Sequence, residues 1–103
     1  MFGEVFLCEF PFTSGGASKV RPALVLFELQ HDVIICRVTS VLHNDPLDVL
    51  LNDWPAAGLL KPSVARVNRI ITAERNILRR RLGLLSASDK EAIRNAWNTN
   101  MKL

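Results

Sequence analysis

No stretch of the sequence approaches the roughly 20 consecutive apolar residues that a membrane-spanning helix needs, so no such span is expected. The opening residues, Met1-Phe2-Gly3-Glu4, lack the basic start and apolar run of a secretory signal, and the expected location is the cytoplasm. Cysteine is scarce: Cys8 and Cys36 stand singly inside apolar runs, which suits buried, reduced thiols better than a disulfide. With two cysteines and two histidines, none at ligand spacing, no zinc site is expected either. The chain has no internal repeat, no low-complexity tract and no linker.

What is present describes a small folded domain. The chain has 103 residues, 49% of them hydrophobic and 22% charged, enough apolar side chain for one core and too few charges for disorder. One domain spanning residues 1–103 is expected. The net charge of +3 is compatible with a polyanionic partner without identifying one.

Hydrophobic patterning predicts five strands. Glu4 to Phe10 is rich in β-branched and aromatic residues and ends at Pro11. Phe12 to Lys19, with two glycines, reads as a flexible loop. Pro22 opens a second strand, Ala23 to Phe27, and Gln30-His31-Asp32 turns the chain into a third, Val33 to Thr39. The near-continuous apolar character of these two strands predicts central positions. Ser40 to Pro46 reads as a loop, Leu47 to Leu51 as a short fourth strand, and Asn52 to Pro55 as a turn. Ser63 to Ile71 alternates, placing Val64, Arg66, Asn68 and Ile70 on one face and Ala65, Val67, Arg69 and Ile71 on the other. Arg79-Arg80-Arg81 reads as a solvated basic connector. Ser88 precedes Glu91 by three, the spacing of a capping box, and Ala92, Ile93, Ala96, Trp97 and Met101 recur at helical spacing, so a helix is expected from about Ser88. Short strands joined by turns imply a strongly bent antiparallel sheet or barrel.

Two segments carry a more specific signal. The first runs from Gly3-Glu4-Val5-Phe6 through Phe10-Pro11-Phe12 to Lys19-Val20-Arg21-Pro22-Ala23-Leu24-Val25-Leu26. The second is Lys61-Pro62-Ser63-Val64-Ala65-Arg66-Val67-Asn68-Arg69-Ile70-Ile71-Thr72, followed by Leu82-Gly83-Leu84-Leu85-Ser86. Between them lies Arg37-Val38-Thr39-Ser40. In this order and spacing the segments resemble the MazF/PemK family of bacterial toxins. The resemblance implies a mostly β fold, an SH3-like small barrel of the MazF/PemK/CcdB type with a C-terminal α-helix. It also implies a homodimer, a cognate antitoxin protein, and cleavage of single-stranded RNA at short motifs with no metal or other cofactor.

The same resemblance carries the catalytic roles onto Arg21 and Thr39, with Ser40 beside them. The chemistry fits: an arginine supplies a planar, permanently charged fork to phosphate oxygens, and a threonine hydroxyl can hold the phosphate or the 2′-OH. Lys19, His43, Lys61, Arg66, Asn68 and Arg69 are the candidate RNA contacts. Two departures stand out. Val20 precedes Arg21 where many members have a second arginine, and Asn68 stands where several have an acid, removing a possible proton acceptor. A barrel toxin acting on a protein target such as DNA gyrase, and an inactive member that only binds RNA or an antitoxin, are the competing readings. The hairpin turn centred on His31 predicts that Arg21 and Thr39 lie close to facing each other. Trp54 is read equally as a base-stacking residue or a packing one. Trp97 is assigned to the core face of the helix.

Overall fold

The structure, a computed structural model, describes residues 1–11 and 18–103. Most of the glycine-bearing loop expected after the first strand lies outside them. Strands β1 (Glu4–Pro11), β2 (Ser18–Glu28), β3 (Asp32–Thr39), β4 (Asp48–Leu51), β5 (Ser63–Glu74) and β6 (Leu78–Leu84) form one antiparallel sheet in the order β4-β5-β3-β2-β1-β6. Helix α1 (Ala87–Asn100) follows. All five expected strands are present, but β2 begins at Ser18 rather than Ala23, so Lys19 and Val20 are strand residues, not loop. Pro22 is tolerated inside it because β2 pairs with β3 only from Ala23 onward, leaving one side of Pro22 without a ladder.

The sixth strand corrects the sequence reading. Arg79-Arg80-Arg81 is not a connector but part of an edge strand paired with β1. The acids of β1 make this possible. Arg79 Nη2 donates to Glu9 Oε2 at 2.6 Å and Arg81 Nε to Glu4 Oε2 at 2.8 Å, opposite charges meeting diagonally across the ladder. A basic tract looks solvated until the strand that neutralises it, some 70 residues away, is in place.

Alternation along the strands buries two clusters. One face carries Val5, Leu24, Cys36, Val38, Val49, Leu51, Ala65 and Val67, against Leu85 and Ile93. The other carries Cys8, Ala23, Val25, Val33 and Ile35, with Phe6, Phe10, Ile77 and Leu78 packed on them. β2 and β3 are therefore covered on both faces, which is why their apolar runs are nearly continuous.

The first cluster draws on both ends of the sheet, so the sheet is strongly bent, and the segment after β4 bridges its two edges. Leu84 N–H donates to Ala56 O at 3.4 Å. The approach is backbone to backbone and requires two glycines. A Cβ on Gly58, whose φ is +76°, would stand 2.1 Å from the Leu82 carbonyl oxygen, and one on Gly83 would stand 2.6 Å from the Ala57 carbonyl carbon. The result is the small barrel with a C-terminal helix that the sequence led us to expect.

The helix start also differs from expectation. Ser86, not Ser88, is the N-cap, and its Oγ accepts from Asp89 N–H at 3.2 Å. Asp89 is buried and accepts the N–H groups of Asn52 and Asp53 at 3.1 and 2.9 Å, tying the helix to the turn after β4. Ile93 is the buried apolar anchor of α1. Trp97, expected in the core, is 38% exposed, and Met101 lies past the helix end. Trp54 is half-buried against the first cluster, which favours its packing role.

β5 departs most from simple alternation. Arg66 pairs with Arg37, but the next β3 partner, Cys36, pairs with Ile70. Residues 67–69 have no partner in β3, a bulge of three residues. Three is odd, so the face assignment inverts: Ala65 and Val67 share a side with Ile70, not with Ile71.

On the near side of the bulge, Arg66 is only 7% exposed. Its Nε donates to Asp48 Oδ1 at 3.0 Å, and its Nη2 pairs with Asp45. The bonded Asp48 carboxylate pushes the guanidinium pKa still higher, against the opposing effect of desolvation. Arg66→Ala would leave the buried Asp48 carboxylate without its cation. We expect the Tm, followed by circular dichroism, to fall by at least about 4 °C; an unchanged Tm would contradict this structural role.

Both thiols are buried and free. Burial pushes Cys8 up to about 11 and Cys36 up to about 12. Because the thiolate is the reactive form, neither cysteine should react with a thiol-specific reagent in the native protein at neutral pH, and both should react in denaturant. Rapid native labelling would show that the barrel opens at these strands.

Candidate nucleic-acid interface

β3 sets the polarity of the site. Cys36 and Val38 point into the first cluster, so Ile35, Arg37 and Thr39 share the opposite face. On that face Cys8 pairs with Arg21 and Ala23 pairs with Arg37. Continuing the β2–β3 count by two residues brings Arg21 level with Thr39. The observed pairing, however, stops at Ala23–Arg37, so the two strands part just before this level. Arg21 and Thr39 therefore occupy the same face and the same end of the hairpin, at a mouth rather than on a closed ladder.

The two side chains are prepared differently. Arg21 is exposed and makes no ion pair among the described residues. Thr39 is half-buried, and its Oγ1 accepts the Val41 N–H at 3.1 Å. With that acceptor position filled, the hydroxyl proton is left to donate outward. Ser40 is exposed at the following bend.

The remaining candidates fall into three groups. Lys61 is exposed three residues before Val64, the β5 partner of Thr39, and so lies at the same end of the sheet. His43 is exposed in the loop after β3, which the Arg66–Asp45 pair ties to the sheet. Asn68 and Arg69 are exposed at the bulge, beside Arg37. Lys19 is exposed on β2 opposite Phe10. Arg66 differs from all of these, because its guanidinium is committed to Asp45 and Asp48.

Sequence reasoning missed Arg37. Nothing in a strand reading Val-Ile-Ile-Cys-Arg-Val-Thr separates it from a solvated arginine; the only signal was its spacing of two from Thr39, which fixes a shared face. Among the described residues, no group of three or more His, Cys, Asp or Glu side chains gathers in a way that could hold a metal ion. No helix among them is long and apolar enough to cross a membrane.

Comparison with known proteins agrees with this architecture. Solved structures share the fold, among them three mycobacterial proteins. The Mycobacterium tuberculosis toxin MazF-mt6 superimposes with a TM-score of 0.77 at 22% identity, over 97% of both chains. A structure described as an endoribonuclease from a mycobacterial species gives 0.76 at 20% identity, over 98% of this chain and 89% of that one. An endoribonuclease in complex with its cognate antitoxin, also mycobacterial, gives 0.77 at 21% identity, over 98% of this chain and 93% of that one. Among curated protein sequences no match was found. The profile of the PemK-like, MazF-like toxins of type II toxin-antitoxin systems matches residues 1–100, and the chain belongs to that family.

Proposed function

We propose that this chain is a sequence-selective endoribonuclease that cuts single-stranded RNA, the toxin of a pair whose antitoxin is a protein, working in the cytoplasm. The observation that carries the reading is the convergence of Arg21 and Thr39 on one face at the parted end of the β2–β3 hairpin, with no carboxylate paired to the arginine. Family membership and the endoribonuclease descriptions of structural neighbours support it.

In the proposed reaction the RNA's own 2′-OH attacks the adjacent phosphorus. A new bond forms from O2′ to phosphorus as the 2′ proton is given up to solvent, the bond to the 5′ oxygen breaks, and that oxygen takes up a proton, leaving a 2′,3′-cyclic phosphate and a 5′-hydroxyl. Arg21 neutralises charge building on the phosphoryl oxygens, and its fork fixes two of them at once. Thr39 donates its free hydroxyl proton to the phosphate and holds it in line, while Ser40 lies within the same turn. Lys19, His43, Lys61, Asn68 and Arg69 guide the flanking strand. Asn68 cannot accept a proton as a carboxylate would, so its part is contact, not acid–base work. Arg66 contributes by holding the His43 loop.

A homodimer completes the proposal. A groove of about 590 Å3 between α1 and the sheet presents Phe27, Ile70 and Trp97 to solvent. An exposed apolar surface of this kind is the sort that a second copy covers about a two-fold axis. Light scattering at micromolar concentration should return twice the chain mass; monomer alone would oppose it.

Purified protein incubated with naked RNA should cut it, which the protein-target and inactive readings do not allow. Arg21→Ala should keep the wild-type Tm, since the side chain is exposed, and should lower cleavage by at least about a hundredfold, the scale of losing one transition-state donor. Thr39→Ala should reduce it less. Cleavage driven by the substrate's own hydroxyl calls on no metal, so EDTA should leave the rate unchanged. Wild-type cleavage by a folded Arg21→Ala protein, or abolition by EDTA, would overturn the assignment.

A further inference from the structure

The bulge in β5 opens a cavity that the proposed reaction does not use. It has a volume of about 300 Å3 and lies between Phe10 of β1, residues 35–37 of β3 and residues 68–71 of β5. Ile35 and Ile71 make its walls apolar, and Phe10 adds an aromatic ring. Its polar lining is Arg37, Asn68 and Arg69. No carboxylate among the described residues lines it.

Five arginines elsewhere in the molecule are neutralised: Arg66, Arg75, Arg79, Arg81 and Arg94 each pair with an acid. Arg37 and Arg69 make no ion pair among the described residues, although they line the same small cavity. Arg37 also stands across the ladder from Arg66, whose charge Asp45 and Asp48 absorb. Two unneutralised cations facing one cavity repel each other, and a ligand rich in acceptor atoms relieves that cost.

We propose that this cavity is a nucleobase subsite that reads guanine, with Arg37 as the reading fork. This rests on the function proposed above and names its sequence preference. Size sets the class: the volume is at the lower end of ligand pockets, suited to a single base rather than a larger ligand. Aromatic and apolar walls accept the flat face of a base. Donor chemistry sets the identity. A guanidinium bonds two adjacent acceptors, O6 and N7, on guanine; adenine puts an amino donor beside N7, and uracil offers no adjacent pair. Cytosine has an adjacent pair in N3 and O2, but its single ring presents a smaller face to the aromatic and apolar walls than a purine does. Position sets its place in the substrate. Arg37 precedes Thr39 by two residues on one face, roughly 7 Å along the strand, so the base read is next to the scissile phosphate.

The test separates base reading from general attraction and from cleavage. Non-cleavable 2′-O-methyl oligonucleotides, differing only in carrying guanine, 7-deazaguanine or adenine at one position, are titrated against the wild-type protein, Arg37→Ala and Arg37→Lys. We expect wild type to prefer guanine over either substitute by about tenfold or more, the scale of one bidentate contact. Arg37→Ala should keep its Tm and lose the preference. Arg37→Lys should retain salt-dependent binding, since the charge remains, but also lose the preference, since the fork is gone. In parallel, mapping cut ends on a long RNA should show guanine at a fixed position beside the wild-type cut and no fixed base there for Arg37→Ala. Equal wild-type affinity for the three oligonucleotides, or a guanine preference that survives in Arg37→Ala, overturns the subsite. A protein that prefers guanine in binding but cuts nothing would retain the subsite and overturn the nuclease reading instead.

Discussion

The three unpaired residues between Arg66 and Ile70 shape most of what is distinctive in this barrel. An antiparallel ladder has a strict period of two, so an odd insertion exchanges the faces of everything beyond it. Before the bulge, β5 buries Val64, Ala65 and Arg66 between β3 and β4; within it Val67 is buried while Asn68 and Arg69 are exposed, and beyond it Ile70 and Ile71 are exposed. The same irregularity opens the cavity beside Arg37 and turns Ile70 toward the apolar groove under α1. One local departure from pairing thus supplies both a polar recess on one face and part of an apolar surface on the other.

Charge is divided along the same line. Arginines that hold the barrel together are paired across strands: Arg79 and Arg81 fasten the β6 edge to β1, and Arg66 fastens β4 and the turn before it to β5. The exposed pairs are individually worth little, because water screens them. Arg66 is different, since removing it strands a buried carboxylate. Arg21, Arg37 and Arg69 have no such duty, and all three lie by the parted end of the β2–β3 hairpin or at the bulge next to it. These three guanidiniums lie where an RNA backbone is proposed to pass, although Arg80, also without an ion pair among the described residues, stands apart on the β6 edge.

Much was legible before any coordinates. The alternating and apolar runs marked five strands, and the period change after Ser86 marked the helix, because the two periodicities, 2 and 3.6, are local properties of the chain. The order of short motifs pointed to the family. Counting from the turn at His31 could bring Arg21 and Thr39 to one end of a hairpin, but their sharing a face also depends on the register shift between Val25 and Phe27, which no local pattern announces.

Tertiary structure decided what local periodicity cannot contain. Arg79-Arg80-Arg81 is a strand because β1 offers it a ladder, with Glu4 and Glu9 near enough to pair with Arg81 and Arg79. Ser86 rather than Ser88 caps the helix because Asp89 is held by the backbone of Asn52 and Asp53. Arg66 became a structural cation because Asp45 and Asp48 meet it from another strand, whereas Arg37, identical in chemistry, was left facing a cavity. Composition and order determined the kinds of side chain available and the strands that carry them. Which arginine is neutralised and which is left for a ligand depends on cross-strand neighbours many residues away: Arg66 has Asp48 across from it on β4, whereas Arg37, paired with Arg66 itself, has no acid beside it among the described residues.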